Sequence, residues 1–330
     1  MARTGGGGSS LVRPKYAVAP LDGIKERAGA QVRVSYALGA AMEGEDASQN
    51  ARLREEAVAL ARNTDAAVIV VGYAATLESE GIDRKSMDLP LGQDELIQAV
   101  AAVNRNCVVV IVAGAPVAMT KWIDRVPAIV DAWYGGQEGG HAIGDILFGA
   151  ANLSGKLPVT FPKEWKDSPA YGHYPGENLR VEYGEGIYVG YRGFDKRNIE
   201  PLFPFGHGLS YTRFDYSDLK ALPAKVALGK PVEVSVRVRN AGTRAGAEVV
   251  QLYLHDVKSS VDRPPKELKG FRRVVLQPGQ AQTVMFTLAD DAMSFYNTAK
   301  KDWVAEPGAF EVLVGASSRD IRLKATFELE

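Results

Sequence analysis

Residues 66–72 have the sequence AAVIVVG and decide how the first half of the chain folds. The run is continuous, rich in β-branched residues and closed by a glycine, which is typical of a central parallel strand covered on both faces. It is followed at 77–84 by LESEGIDR, a loop that crowds three carboxylates and a guanidinium. In open α/β sheets the functional loops follow the carboxyl ends of strands, so this acidic loop lies where such folds place their chemistry.

Glu78 and Glu80 are the candidate acid-base residues of this loop. Acid-base catalysis at an ether or acetal oxygen needs a carboxyl group that can stay protonated near neutral pH, and a second glutamate nearby is one way to raise its pKa. The alternative is a solvated loop in which Asp83 and Arg84 serve only to tie the chain down. The residues alone leave both interpretations open.

The surrounding pattern predicts a doubly wound, mostly parallel α/β sandwich. Helical periodicity alternates with short apolar strands, and the loops between them are short. The predicted helices lie at about 20–29, 46–63, 91–104, 117–125 and 138–148, and the predicted strands at 31–36, 66–72, 107–112 and 128–133.

The second half of the chain changes to the alternation of a β-sandwich. From about residue 215 onward, short strands such as the one with Val232, Val234, Val236 and Val238 are separated by Gly-containing and Pro-containing turns. Seven or so such strands predict a fibronectin type III-like, immunoglobulin-like fold. The segment before them is irregular but too rich in aromatic residues for a free linker. We therefore predict an α/β-sandwich domain at 1–165, an ordered wrapping connection at 166–214 and a fibronectin type III-like domain at 215–330.

Composition argues against several classes of partner. With 39 basic and 40 acidic residues among 330, the net charge of -1 gives no case for nucleic acid or an anionic membrane. We find no apolar run near the ~20 residues of a membrane span, and the small, polar first residues predict no signal peptide here, so no compartment is predicted. Cys107, the only cysteine, fits a buried strand, and the four histidines lack metal-site spacing, so we expect no disulfide, metal or cofactor.

Motifs along nearly the whole chain resemble those of one enzyme family. They are TGGGGSS at 4–10, ESEGIDR at 78–84, WYGGQEGG at 133–140, GKLPVTFP at 155–162, YGEGIYVGYR at 183–192, FPFGHGLSY at 203–211 and LKGF at 268–271. Together they resemble glycoside hydrolase family 3, in its bacterial β-glucosidase branch. The glycines at 5–8 are interpreted as a mobile loop near the cleft rather than as an anion site.

The resemblance implies a retaining β-glucosidase that acts on β-linked glucosides or oligosaccharides with two catalytic carboxyl groups. Matching the family's Glu-Gly-x-Asp-Arg pattern assigns the acid-base role to Glu80, with Glu78 as the fallback and Asp83 and Arg84 as loop-positioning residues. Tyr134 is a candidate for contact with the substrate. The family's nucleophile is an Asp on a (β/α)8 barrel, so the resemblance implies a barrel domain or chain as a partner.

The sequence departs from the family at its beginning. Neither the barrel nor the first strand of the sandwich domain has a counterpart, and we expect an unpaired sheet edge as a result. Two functions stay open. One is the acid-base portion of a β-glucosidase, which we expect to be inactive without the barrel. The other is a non-catalytic carbohydrate-binding or structural module that serves in assembly.

Overall fold

The computed structural model describes residues 2–42 and 46–330, and the chain divides into two compact units. The first comprises Met1–Ala151 and Lys163–Trp165, and the second comprises Asn152–Pro162 and Lys166–Glu330. No helix in the described ranges has the length and apolar character needed to cross a bilayer. The domain boundaries expected from the sequence stay a prediction.

The first unit is a parallel sheet with helices on both faces, as predicted. Its helices and strands are α1 (Pro20–Ala28), α2 (Asn50–Arg62), β1 (Ala67–Gly72), α3 (Gln93–Val103), β2 (Cys107–Val112), β3 (Ala128–Asp131) and α4 (Gly139–Leu147). Short 3-10 turns occur at Gly8–Ser10, Gly29–Gln31, Ala47–Gln49, Ile123–Arg125 and Gly136–Glu138. The strands lie in the order β1-β2-β3, and both pairs are parallel.

The two faces of this sheet are covered by different helices. Ile24 of α1 and Ile143 of α4 pack with Val110 of β2. Since neighbouring residues of a strand point to opposite faces, Val109 and Ile111 point the other way, toward the side on which α3 contacts β1 and β2. Both are buried. The carboxyl ends of the three strands therefore emerge together at one edge of a rigid layer.

β1 is an edge strand with one open face, which corrects the prediction of a central strand covered on both faces. Ile69 and Val71 are buried, whereas Val68 and Val70 are 39% and 41% exposed. In the described part of the chain, no strand pairs with the free edge of β1. The strand predicted at 31–36 is absent. The segment pairs with no neighbouring strand among the described residues, and an alternating sequence forms a strand only when such a partner is present.

The helix predicted over about 117–125 is also wrong, since the segment holds only one 3-10 turn. Trp122 is fully buried, and its indole Nε1 donates a hydrogen bond of 2.9 Å to the Asp94 carboxylate on α3. Lys121 approaches the same carboxylate to 3.3 Å. These tertiary contacts fix an irregular path and override the helical pattern.

The second unit is a sandwich of two sheets, which confirms the predicted fold class. Its strands are β4 (Phe214–Leu222), β5 (Lys225–Val226), β6 (Val232–Asn240), β7 (Gly246–Asp256), β8 (Glu267–Leu276), β9 (Ala281–Leu288), β10 (Phe295–Asn297), β11 (Asp302–Val304), β12 (Gly308–Gly315) and β13 (Ile321–Leu329). Its helices are α5 (Tyr191–Lys196) and α6 (Asp290–Met293). One sheet has the order β5-β13-β12-β7-β8 and the other the order β4-β6-β9, and β10 and β11 form a separate hairpin.

Alternating valines of β6 form the centre of the sandwich core. Val232, Val234, Val236 and Val238 are each 0% exposed, and they pack with apolar residues of the facing sheet such as Leu252. The period of two that identified this strand in the sequence is therefore the period of its burial.

Helices α1 and α4 cross where both carry glycine. A Cβ on Gly23 would lie 2.0 Å from the carbonyl oxygen of Gly140, and a Cβ on Gly140 would lie 2.3 Å from the carbonyl oxygen of Ala19. The two backbones are therefore closer than any other residue allows.

We expect Gly23→Ala to lower the free energy of unfolding by about 1–3 kcal/mol, because the added methyl group must push the helices apart. Gly139→Ala is the matched control, since a Cβ at that end of α4 meets no atom within 4 Å. Urea unfolding followed by circular dichroism measures both. Equal stabilities of the two variants would contradict the close crossing.

Candidate active site

The acidic loop after β1 holds two glutamates in opposite environments. The side chain of Glu78 is 13% exposed, whereas Glu80 is exposed to solvent. Of the residues singled out in the sequence, Glu78, Arg84 and Tyr134 come together in one contact network. Asp83 lies at the surface, and Glu80 is held by a different part of the chain.

Both carboxylate oxygens of Glu78 are occupied. Oε1 forms an ion pair of 3.2 Å with Nη1 of Arg84. Oε2 accepts a hydrogen bond of 2.7 Å from the backbone N–H of Gly114 and another from the hydroxyl of Tyr134. Gly114 and Tyr134 follow β2 and β3, so one carboxylate joins the ends of all three strands. Burial and the bond to Glu78 raise the pKa of Tyr134 well above its ordinary value.

Arg84 is held from several directions. Its Nη2 donates to the hydroxyl of Tyr73 at 2.7 Å and to the carbonyl oxygen of Pro116 at 3.1 Å. The guanidinium also lies 3.9 Å from the centre of the Tyr73 ring. Burial raises the pKa of Tyr73 to about 12, so its hydroxyl stays protonated. Its own proton is donated to the carbonyl oxygen of Asp88.

Glu80 is bound by Ser9, a residue from the glycine-rich segment near the start of the chain. Its Oε2 accepts a hydrogen bond of 2.7 Å from the backbone N–H of Ser9 and a second one from the Ser9 hydroxyl. Its Oε1 accepts none from the residues that the structure describes. The hydroxyl of Ser9, followed by its backbone N–H, holds the pKa of Glu80 below its ordinary value.

This lowered pKa is the opposite of the rise expected from two adjacent glutamates. The charge of Glu78 is matched by Arg84, and Glu80 is exposed and receives two donors that stabilise its charged form. Desolvation acts in the other direction, but it raises the pKa of this exposed side chain by less than the two Ser9 donors lower it.

The sequence places the glycines at 5–8 near the cleft, but it did not reveal that the segment 7–9 contacts the acidic loop. Gly7 forms a parallel bridge with Ser79, and a Cβ on Gly7 would lie 2.2 Å from the Ser79 hydroxyl oxygen. Gly8 has φ +78°, and a Cβ there would lie 2.3 Å from Cβ of Glu80. The glycines predicted to form a mobile loop are thus packed against the acidic loop. The only hint of this contact in the sequence was the run of glycines beside Ser9, because adjacent glycines allow two backbones to come close together.

A further carboxyl group lies at the end of β3. Asp131 accepts a hydrogen bond of 3.4 Å from the backbone N–H of Trp133, while its Oδ2 is buried and has no hydrogen-bond partner among the residues that the structure describes. Burial raises the pKa of Asp131 to about 6, and the charge of Glu78 acts in the same direction. No group of His, Cys, Asp and Glu side chains suited to a metal ion occurs within the described ranges.

Each half of the chain matches the model of a known domain family. Residues 1–211 match the model of the glycosyl hydrolase family 3 C-terminal domain, and residues 248–318 match a fibronectin type III-like domain. The chain is 49% identical over 319 residues to thermostable beta-glucosidase B of Acetivibrio thermocellus, covering 97% of this chain and 42% of that protein.

Two further comparisons agree with this match. The chain is 43% identical to a beta-glucosidase of Bacteroides ovatus, covering 98% of this chain and 45% of that protein. The crystal structure of a GH3 beta-glucosidase from Bifidobacterium adolescentis superposes with a TM-score of 0.91 at 37% identity, covering 98% of this chain and 47% of that one. The chain therefore spans less than half the length of these relatives.

We expect Ser9→Ala to raise the pKa of Glu80 toward its ordinary value, because the variant loses the hydroxyl donor and keeps only the backbone one. A titration of the Glu80 side-chain carboxyl by carbon-13 NMR measures the change. Ser79→Ala is the control, since the Ser79 hydroxyl makes no hydrogen bond to Glu80. An unchanged pKa in Ser9→Ala would mean that the Ser9 contact is absent in solution.

Proposed function

Because the chain belongs to glycosyl hydrolase family 3, we propose that it supplies the acid-base carboxyl group of a retaining β-glucosidase, with Glu80 in that role. The observation that carries the proposal is the contrast between the two glutamates. Glu80 leaves one carboxylate oxygen open to solvent, whereas both oxygens of Glu78 are engaged within the unit. A general acid must come within hydrogen-bond reach of the oxygen it protonates, and Glu78 would have to break its network to do so.

In this proposal the reaction proceeds in two steps. In the first, the Glu80 proton passes to the leaving-group oxygen as the bond from that oxygen to the anomeric carbon breaks and an aspartate attacks the same carbon. In the second, the Glu80 carboxylate removes a proton from water as the water oxygen attacks and the glycosyl–aspartate bond breaks. A retaining geometry needs the two carboxyl groups roughly 5–5.5 Å apart. We propose a (β/α)8 barrel as the source of the aspartate.

The contact with Ser9 fits the second of these steps directly. Its two donors favour the carboxylate, which is the form that accepts a proton from water. The first step needs the neutral acid, and enclosure of Glu80 between a sugar and a partner domain would raise its pKa by desolvation. The proposed acid thus acquires its acidic form only when the site is covered.

Exposed apolar side chains around the acidic loop support such a covering partner. Leu77 and Ile82 flank the glutamates, and Leu11 and Val12 follow Ser9. All four are exposed. A concentration of apolar side chains beside a candidate active site is typical of an interaction surface. β-Linked glucosides are the proposed substrates, in keeping with the beta-glucosidases to which the chain is similar.

The test is hydrolysis of cellobiose and of an aryl β-glucoside by the chain mixed with a separately expressed barrel of the family. We expect Glu80→Gln to lower the rate on cellobiose by about 10²–10⁴-fold, because the variant keeps the shape of the side chain but cannot transfer the proton. Glu55→Gln, at an exposed position on α2, is the matched control and should retain the rate. Full activity of Glu80→Gln would refute the assignment.

Azide separates an acid-base residue from a merely structural one. Azide attacks without losing a proton, so it should restore turnover of the aryl glucoside by Glu80→Ala and yield a glycosyl azide. Glu78→Ala should instead lose stability and gain nothing from azide, because its removal leaves Arg84 unpaired. If no mixture hydrolyses either substrate, the non-catalytic carbohydrate-binding or structural module becomes the better description.

A further inference from the structure

A cavity of about 700 Å³ lies within the second unit. It is lined by the start of β4, the start of β7, the turn between β12 and β13, and the segments around Lys156 and His207. Its volume falls in the range of roughly 300–1,000 Å³ typical of small-molecule sites. Every lining residue belongs to the second unit, so the cavity needs no residue of the acidic loop.

The charges that line the cavity balance one another. Lys156 pairs with Glu248 at 2.9 Å, and Arg322 pairs with Asp320 at 2.8 Å. One more arginine and one more aspartate line it and are exposed to solvent. The inner cations are therefore neutralised by carboxylates of the protein itself. This arrangement does not favour an anionic or a cationic ligand, since either would have to displace an existing partner.

Glu248 provides an acceptor inside the cavity. The residue is 4% exposed, and its Oε1 accepts from Nζ of Lys156 and, at 2.8 Å, from the backbone N–H of Val249. Its Oε2 accepts no hydrogen bond from the described residues and is not sealed from solvent. A buried carboxylate with one oxygen open is suited to accept hydrogen bonds from hydroxyl groups.

His207 adds groups that can both donate and accept. Burial, and then the charge of Lys156, lower the pKa of His207, so its ring is neutral near pH 7 and offers one donor and one acceptor. The ring stacks on that of Phe203 with 5.2 Å between the centroids. Its two nitrogens make no hydrogen bond with the described residues and are not sealed from solvent, so both are open to a ligand in the cavity.

We propose that this cavity binds a small uncharged polyhydroxyl ligand, a mono- or disaccharide, through Glu248 and His207. Sugar hydroxyls donate to a carboxylate and exchange hydrogen bonds in both directions with a neutral imidazole. The balanced charge selects against sugar acids and amino sugars. The site is separate from the proposed catalytic role of Glu80 and does not depend on it.

The test is isothermal titration of the complete chain with cellobiose, with gluconate as the charged probe. We expect saturable 1:1 binding of cellobiose and weaker binding of gluconate. Glu248→Gln should weaken cellobiose binding about tenfold or more, because it replaces a charged acceptor by an amide. Glu233→Gln is the matched control: it lies on β6 outside the cavity, its carboxylate contacts Thr287, and it should keep the wild-type affinity.

A second variant keeps the test decisive if Glu248→Gln disturbs folding through Lys156. His207→Phe keeps an aromatic ring stacked on Phe203 and removes two nitrogens that no described residue binds, so its unfolding midpoint should equal that of the wild type while cellobiose binds several-fold more weakly. Wild-type affinity in both Glu248→Gln and His207→Phe, or no saturable binding up to about 50 mM cellobiose, would overturn the proposal.

Discussion

The partly buried ion pair between Glu78 and Arg84 is the interaction on which the first unit's site depends. It draws the acidic loop against the ends of all three parallel strands, through Gly114 after β2 and Tyr134 after β3. A buried charge that loses its partner is strongly destabilising, so each member of this network holds the others in place. The position of Glu80, two residues further along, follows from that anchor.

The two neighbouring glutamates of the loop differ in their surroundings and in their hydrogen-bond partners. Glu78 is partly buried and both of its carboxylate oxygens are bound by residues of the first unit, whereas Glu80 is held at the surface by Ser9. Membership of glycosyl hydrolase family 3, which the motifs predicted and the family model confirms, gives this contrast a chemical meaning. The same loop thus combines a structural carboxylate with one that remains available for chemistry.

The sequence predicted features that depend on local pattern and missed those that depend on distant partners. The alternating valines of β6 and the parallel sheet followed from periodicity, and both fold classes are confirmed. The helix predicted at 117–125 is absent because Trp122 donates a hydrogen bond to Asp94, which lies on a different element of the fold. The contact of Ser9 with Glu80 was missed for the same reason, since no local signal joins residues 71 positions apart.

The long separations in this site also have a kinetic consequence. Glu80 is held by a residue 71 positions before it, and Glu78 is fixed by residues 36 and 56 positions after it. Contacts between distant parts of a chain form slowly, because the entropy of closing the intervening loops is lost before the contacts stabilise anything. The candidate acid-base group therefore reaches its environment only when the whole first unit has folded, and a nascent or partly unfolded chain carries the glutamate without its setting.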